Sequence, residues 1–181
     1  MPFPILVLIP READPMVLVV IGPMGCGKTT IGILLAEKIG YVFDDADDFH
    51  PVENVEKMRS GIALDDEDRI GWLRILSSRI NEKLDTDQPL VLACSALKKS
   101  YRDILGIDQK RVISVYLKGT FELLQKRLSS RSHEYMNDSL LTSQISTMQE
   151  PPDGVIVDVS GSPEEITDDI IEKLHLTGID I

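Results

Sequence analysis

The sequence is short of basic charge: 19 Lys and Arg stand against 30 Asp and Glu, a formal net charge of -11 over 181 residues. No surplus is left to neutralise a phosphate backbone or an anionic bilayer, which argues against nucleic acid or a membrane surface as the main partner. A small anionic ligand held by a local basic cluster stays possible. Cysteine is scarce too. Cys26 and Cys94 are the two present; they lack metal-ligand spacing and are too few for a disulfide framework, so a reduced, cytoplasmic protein is expected. Long apolar runs are missing. The stretch from Pro4 to Pro10 is far too short to span a bilayer and has no basic residue ahead of it, so it reads neither as a span nor as a secretory signal. There are no internal repeats and no low-complexity segment. Hydrophobic content of 43% and charged content of 27% are ordinary for one globular domain with a sizeable core.

What is present starts with Gly22-Pro-Met-Gly-Cys-Gly-Lys-Thr-Thr30, which fits the phosphate-binding P-loop pattern G-x-x-x-x-G-K-[ST]. An apolar stretch from Met16 to Ile21 precedes it and predicts a buried parallel strand; Thr29 to Ile39 predicts a helix. Glycines let the backbone wrap an anion with N–H groups pointing inward, and the helix N-terminus adds a positive dipole. The nucleotide ligands expected here are Gly22, Pro23, Met24, Gly25, Cys26, Gly27, Lys28, Thr29 and Thr30. Lys28 would reach the β- and γ-phosphates, and the Thr29 hydroxyl would ligate Mg²⁺ beside ATP. The natural start is expected at Met16, with residues 1–15 a peripheral or mobile extension; an added edge strand is the alternative.

Beyond the loop, strands and helices alternate. Tyr41 to Phe43, Leu90 to Cys94, Val112 to Leu117 and Val155 to Val157 are further strands, and helical spacing of apolar residues fills the intervals, as with Ile70, Leu73, Leu76, Ile80 and Leu84. Asp65 or Asp66 is expected to cap that last helix, and Ser162-Pro-Glu-Glu165 reads as a capping box opening the final one. The fold class is therefore α/β, a parallel sheet of about five strands with helices on both faces. Strand order is not readable from periodicity. Residues 16–181 are expected to form a single domain, with a small polar lid at about 127–138.

The unusual residues all fall after strand C-termini, which in an open α/β sheet share one crevice. Asp44, Asp45, Asp47 and Asp48 follow the second strand. A solvated acidic turn is the plain alternative, but phosphoryl transfer needs a metal carboxylate and a carboxylate to orient or deprotonate the acceptor hydroxyl. A standard metal carboxylate is missing after Leu90–Cys94, so Asp45 is assigned to the metal with Thr29, and Asp47 to the acceptor hydroxyl. The alternation supports two roles without saying which residue has which. Lys57, Arg69, Lys98 and Arg102 would suit an anionic acceptor, Arg69 gripping a carboxylate bidentately. Arg127 and Arg131 share a helix face and either clamp the nucleotide or form an exposed surface. Trp72 and both cysteines read as packing residues.

These blocks resemble a known family. Asp45-Ala-Asp-Asp-Phe-His-Pro51, Glu53-Asn54, Lys57-Met58, Gly61 to Arg69 with Trp72-Leu73, Cys94 to Asp103, Leu140-Leu-x-Ser-Gln144 and Glu150-Pro151 are similar to the bacterial and eukaryotic gluconokinases of the shikimate-kinase-like group. The resemblance covers roughly Val17 to the C-terminus. It implies a three-layer P-loop kinase fold with sheet order 2-3-1-4-5, ATP-dependent phosphorylation of D-gluconate with Mg²⁺, and a homodimer. Lys28, Asp47 and Lys98 become the expected catalytic set, and Asp47, His50, Lys57, Arg69, Ser95, Lys98, Arg102, His133 and Glu134 the expected acceptor contacts. Three departures stand out: Pro23, Met24 and Cys26 replace the usual P-loop residues, Gly71 replaces a proline, and in Arg131-Ser-His-Glu-Tyr135 Glu134 aligns with the usual histidine and His133 with a glycine. A kinase for another sugar acid or a shikimate-like acceptor, and a nucleotide-binding regulator without turnover, are the competing readings.

Overall fold

A computed structural model of the chain describes residues 16–131 and 138–176. The expectations for residues 1–15, for His133 and Glu134, and for the lid between 132 and 137 lie outside the described residues. Val17–Ile21 forms β1, wholly buried; α1 covers Lys28–Ile39 and β2 covers Val42–Asp45. A 3-10 turn at Ala46–Phe49 leads to α2, Val52–Arg59, and α3, Asp66–Asp85. Then come β3 at Leu90–Ala93, α4 at Lys99–Leu105, β4 at Val112–Lys118, α5 at Phe121–Arg131, α6 at Asp138–Thr147, β5 at Val155–Asp158 and α7 at Pro163–Leu176.

The strands run parallel in the order β2-β3-β1-β4-β5, the order the resemblance implies. The alternation of a strand sorts β1 between two cores. Leu18 and Val20 pack with Ile31 and Leu35 of α1, Leu124 of α5, Leu141 of α6 and Ile170 of α7. Val17, Val19 and Ile21 pack with Trp72, Leu73, Leu76 and Ile80 of α3 and Tyr101 and Leu105 of α4. That is the three-layer arrangement expected of apolar strands buried on both faces. Edge position explains the weaker patterning of β5, where Ile156 is 37% exposed. Among the described residues no helix is long and apolar enough to cross a membrane.

One strand differs from the sequence expectation. The ladder continues past Phe43, pairing Asp44 with Leu92 and Asp45 with Ala93, so two carboxylates are carried on the strand itself rather than on the turn after it. Asp45 is held at the sheet's C-terminal edge by backbone pairing, which loop residues lack.

Candidate active site

Gly22 to Gly27 turn over the end of β1. Gly25 (φ 81) and Gly27 (φ 98) adopt left-handed conformations, which a side chain disfavours. At Gly25 there is also no room, since a Cβ would stand 3.0 Å from Leu128 and 3.1 Å from the Leu124 carbonyl oxygen. The loop thus closes tightly against α5 and leaves its inner face open. The cavity above it measures about 310 Å³ and is walled by Met24, Gly25, Gly27 to Thr30, Asp45, Asp47, Ser95 and Gln144. Backbone N–H groups at a helix N-terminus, a lysine and a hydroxyl are the donor set a polyphosphate needs. Lys28 bends back over its own loop, its Nζ donating to the Pro23 carbonyl at 3.1 Å. Arg127 lies against the loop from the other side. It donates to the carbonyls of Cys26, at 3.4 Å, and of Val159. It is therefore tucked in rather than turned outward. The Cys26 side chain is buried, and Cys26 is not among the cavity's walls.

The metal assignment brings two residues together. Thr29 Oγ1 donates to Asp45 Oδ2 at 2.8 Å, while Asp45 Oδ1 accepts from the Asp47 N–H at 3.0 Å and so caps the 3-10 turn. Two hard oxygen donors on one side, with phosphate and water to complete the shell, fit Mg²⁺, which usually takes few protein ligands. Among the described residues no group of three or more His, Cys, Asp or Glu is arranged to hold a metal alone.

Asp47 projects from the first turn after Asp45 with its side chain 86% exposed. Partial desolvation by the crevice, then the charge of Asp45, raises its carboxyl above the ordinary 3.8, while His50 and Lys28 pull the other way. The His50 side chain is 8% exposed and stacks on Trp72, ring centroids 4.3 Å apart and planes 13° from parallel. Its Nδ1 lies 3.4 Å from Asn54 Nδ2; with Nδ1 accepting, the proton falls on Nε2, which faces Asp47 Oδ1 at 3.9 Å. Burial lowers the His50 pKa below its ordinary 6.5, so the ring is neutral near pH 7. Trp72 Nε1 donates to the Ala46 carbonyl at 2.8 Å, and Asn54 Nδ2 to that of Asp68 at 3.1 Å. Trp72 and Asn54 thus fix the turn that carries Asp47. In the sequence Trp72 reads as a packing residue; an indole N–H in a core needs a partner, and that requirement points to such a role.

The second block reaches the P-loop through the backbone. The Gly22 N–H donates to the Ser95 carbonyl at 3.3 Å, setting Ser95 in the cavity wall. Further along, Lys98 Nζ donates to Asp66 Oδ1 at 3.2 Å, Tyr101 Oη donates to the same oxygen at 2.7 Å, and Arg69 Nη1 stands 3.8 Å from it. These partners, Tyr101 first, hold the Asp66 carboxyl below its usual range. Two of the predicted acceptor cations therefore converge on one side-chain carboxylate at the start of α3. Lys57 instead pairs with Asp68 at 2.7 Å, the residue whose backbone N–H completes the Asp65 capping box at 2.8 Å. Its role in this structure is to brace the helix start.

Arg102 corrects an expectation. It is 5% exposed, and its guanidinium donates to the carbonyls of Ala96 at 3.0 Å, Leu97 at 3.2 Å and Gln149 at 2.7 Å. An arginine turned inward to satisfy three backbone oxygens is not among the walls of the P-loop cavity. It ties down the loop in which Ala96 adopts φ 40, a region alanine rarely visits. Arg131 is the last residue of α5. Burial raises both thiols, that of Cys94 to about 12, so neither is a nucleophile at neutral pH.

Comparison with known proteins agrees with this geometry. The shikimate kinase family model matches residues 24–175. A probable gluconokinase of Mus musculus is 43% identical over 180 residues, covering 88% of this chain and 98% of that protein. The thermoresistant gluconokinase of Escherichia coli is 34% identical, covering 89% of this chain and 94% of its own length. The crystal structure of a gluconokinase from Sinorhizobium meliloti superposes with a TM-score of 0.78 at 36% identity, covering 92% of this chain and 95% of that one. The chain belongs to the gluconokinase family of shikimate-kinase-like P-loop kinases.

Proposed function

We propose that the chain transfers the γ-phosphoryl group of ATP to the 6-hydroxyl of D-gluconate, giving 6-phospho-D-gluconate and ADP. The observation that carries this reading is one cavity walled by the P-loop, by Thr29 with Asp45, and by Asp47. The acceptor's identity is supported by relatives named gluconokinase at 34–43% identity. Loop N–H groups and Lys28 bind the phosphates. Thr29 and Asp45 would hold Mg²⁺, which would supply charge neutralisation. Asp47 orients the acceptor hydroxyl and takes its proton as the new O–P bond forms and the bond to ADP breaks. Lys98 and Arg69 receive the acceptor's carboxylate in exchange for Asp66. A homodimer and a cytoplasmic setting belong to the same proposal. The family resemblance supports the first, and two free, buried cysteines support the second.

The test is a coupled ADP-release assay over gluconate, related sugar acids and shikimate. Gluconate is expected to give the highest kcat/KM. Release with shikimate but not gluconate would overturn the acceptor, a substitution that Glu134 at the family's histidine position makes worth testing. Absence of acceptor-dependent release throughout would favour the regulator.

A further inference from the structure

Gln144 belongs to α6, outside the strand-end blocks that supply the chemistry, yet it lines the same cavity as Lys28, Thr29, Asp47 and Ser95. Its Oε1 accepts the backbone N–H of Met24 at 2.7 Å, across 120 residues of sequence. Inward N–H groups are what a P-loop offers an anion. In the first half of this loop they are few. The Gly22 N–H is directed to the Ser95 carbonyl at 3.3 Å, Pro23 has none, and the Cys26 N–H is directed to the Pro23 carbonyl at 3.4 Å. Met24 and Gly25 remain, and Gln144 holds the first of these with a carbonyl oxygen.

A phosphate oxygen arriving at Met24 meets that carbonyl as a competing acceptor. A carboxamide resolves the conflict, since its planar group carries an acceptor and two N–H donors side by side. This is also the side of the loop where Lys28 Nζ lies, at 3.1 Å from the Pro23 carbonyl, and where Asp47 shares the wall. The segment that follows α6 is tied down: the Gln149 N–H donates to the Leu97 carbonyl at 2.9 Å, the Lys99 N–H donates to Gln149 Oε1 at 2.6 Å, and Arg102 holds the Gln149 carbonyl.

We infer that Gln144 is a phosphate-contacting residue that distinguishes ATP from ADP: it pins Met24 when the loop is empty and turns its Nε2 donors to the terminal phosphoryl oxygens when ATP is bound. This rests on the nucleotide reading above. The test measures binding of ADP and of a non-hydrolysable ATP analogue by calorimetry, with no acceptor present, to the wild type, Gln144→Met and Gln144→Glu, folding being checked by thermal melts. Both variants are expected to bind ADP within about twofold of wild type and the analogue about tenfold or more weakly, as losing a donor to a charged group implies. Gln144→Glu, with a carboxylate facing phosphate, is expected to be the weaker. Equal losses for ADP and analogue would reduce Gln144 to a structural pin of the loop, and unchanged binding of both would remove it from the site; either result overturns the inference. Wild-type activity with gluconate, measured separately, tests the catalytic reading itself, so the two can fail independently.

Discussion

Thr29 Oγ1 and Asp45 Oδ2 meet at 2.8 Å, joining the first turn of α1 to the end of β2. The bond links the helix that follows β1 to the strand that pairs with β3, and it sets side by side two oxygens that would hold a metal. Thr29→Val and Asp45→Asn are each expected to lower kcat by about 10- to 100-fold and to raise the Mg²⁺ concentration needed for half-maximal rate, on the scale seen when metal-supporting ligands are removed. Thr29→Ser, which keeps the hydroxyl, should stay within a few-fold of wild type. Titrating Mg²⁺ in the ADP-release assay measures all three. A Val variant as active as the Ser variant would dismiss the hydroxyl as a ligand.

As the proposed general base, Asp47 should set the acid side of the pH profile. A general base works only when ionised, and this carboxyl is raised above 3.8 by desolvation and by Asp45. As pH falls, Asp47 therefore protonates earlier than an ordinary aspartate, and kcat/KM should drop through a single ionisation lying above that value. Asp47→Asn should abolish transfer, leave ATP binding largely intact and remove this limb from whatever residual rate remains. An unchanged limb in the variant would assign the ionisation to another group.

Much of this arrangement was legible before the structure. The P-loop, the alternating elements and the convergence of Asp45, Asp47 and Ser95 follow from motif spacing plus one rule about strand ends. Periodicity could not supply the strand order; the family resemblance did. Three features were not legible. Arg102 looks like Lys98 in sequence, and only packing shows that one is buried among carbonyls and the other faces Asp66. Asp44 and Asp45 look like turn residues, because no local signal announces that a parallel neighbour will keep the ladder going. Gln144 contacts Met24 across 120 residues, a tertiary relation that spacing does not encode.

Asp66 stands where an acceptor's carboxylate would be welcome, bonded to Lys98 and Tyr101 and near Arg69. Its side chain is 63% exposed, so in solvent these pairs are weak and exchangeable. On the proposed reading, gluconate would have to displace this internal carboxylate and would sit near its charge. Asp66→Asn keeps the shape and removes both costs. KM for gluconate should fall about two- to fivefold with kcat within about twofold, since exposed pairs of this kind are weak. Steady-state kinetics at fixed ionic strength decides it. A rise in KM would mean that Asp66 chiefly aims Lys98 and Arg69, and that its competition is minor.

Arg102 offers the sharpest separation of structure from chemistry. Two of its three carbonyl partners, Ala96 and Leu97, are buried, while Gln149 is exposed; truncation leaves the buried pair without donors while the Ala96 backbone remains in its strained conformation. Unsatisfied buried polar groups cost about 1–3 kcal/mol each, and partial relaxation or water entry recovers some of that. Arg102→Ala should therefore destabilise the fold by about 2–4 kcal/mol, seen as a lower urea midpoint with little change in slope. Arg102→Lys can satisfy fewer of the three with one ammonium and should fall between. Because the guanidinium does not face the cavity, KM for gluconate in the folded enzyme should stay within about twofold for both variants, assayed well below the unfolding midpoint. The reverse pattern, stability preserved and KM raised tenfold, would return Arg102 to the acceptor site that its place in the Ser95–Arg102 block first suggested.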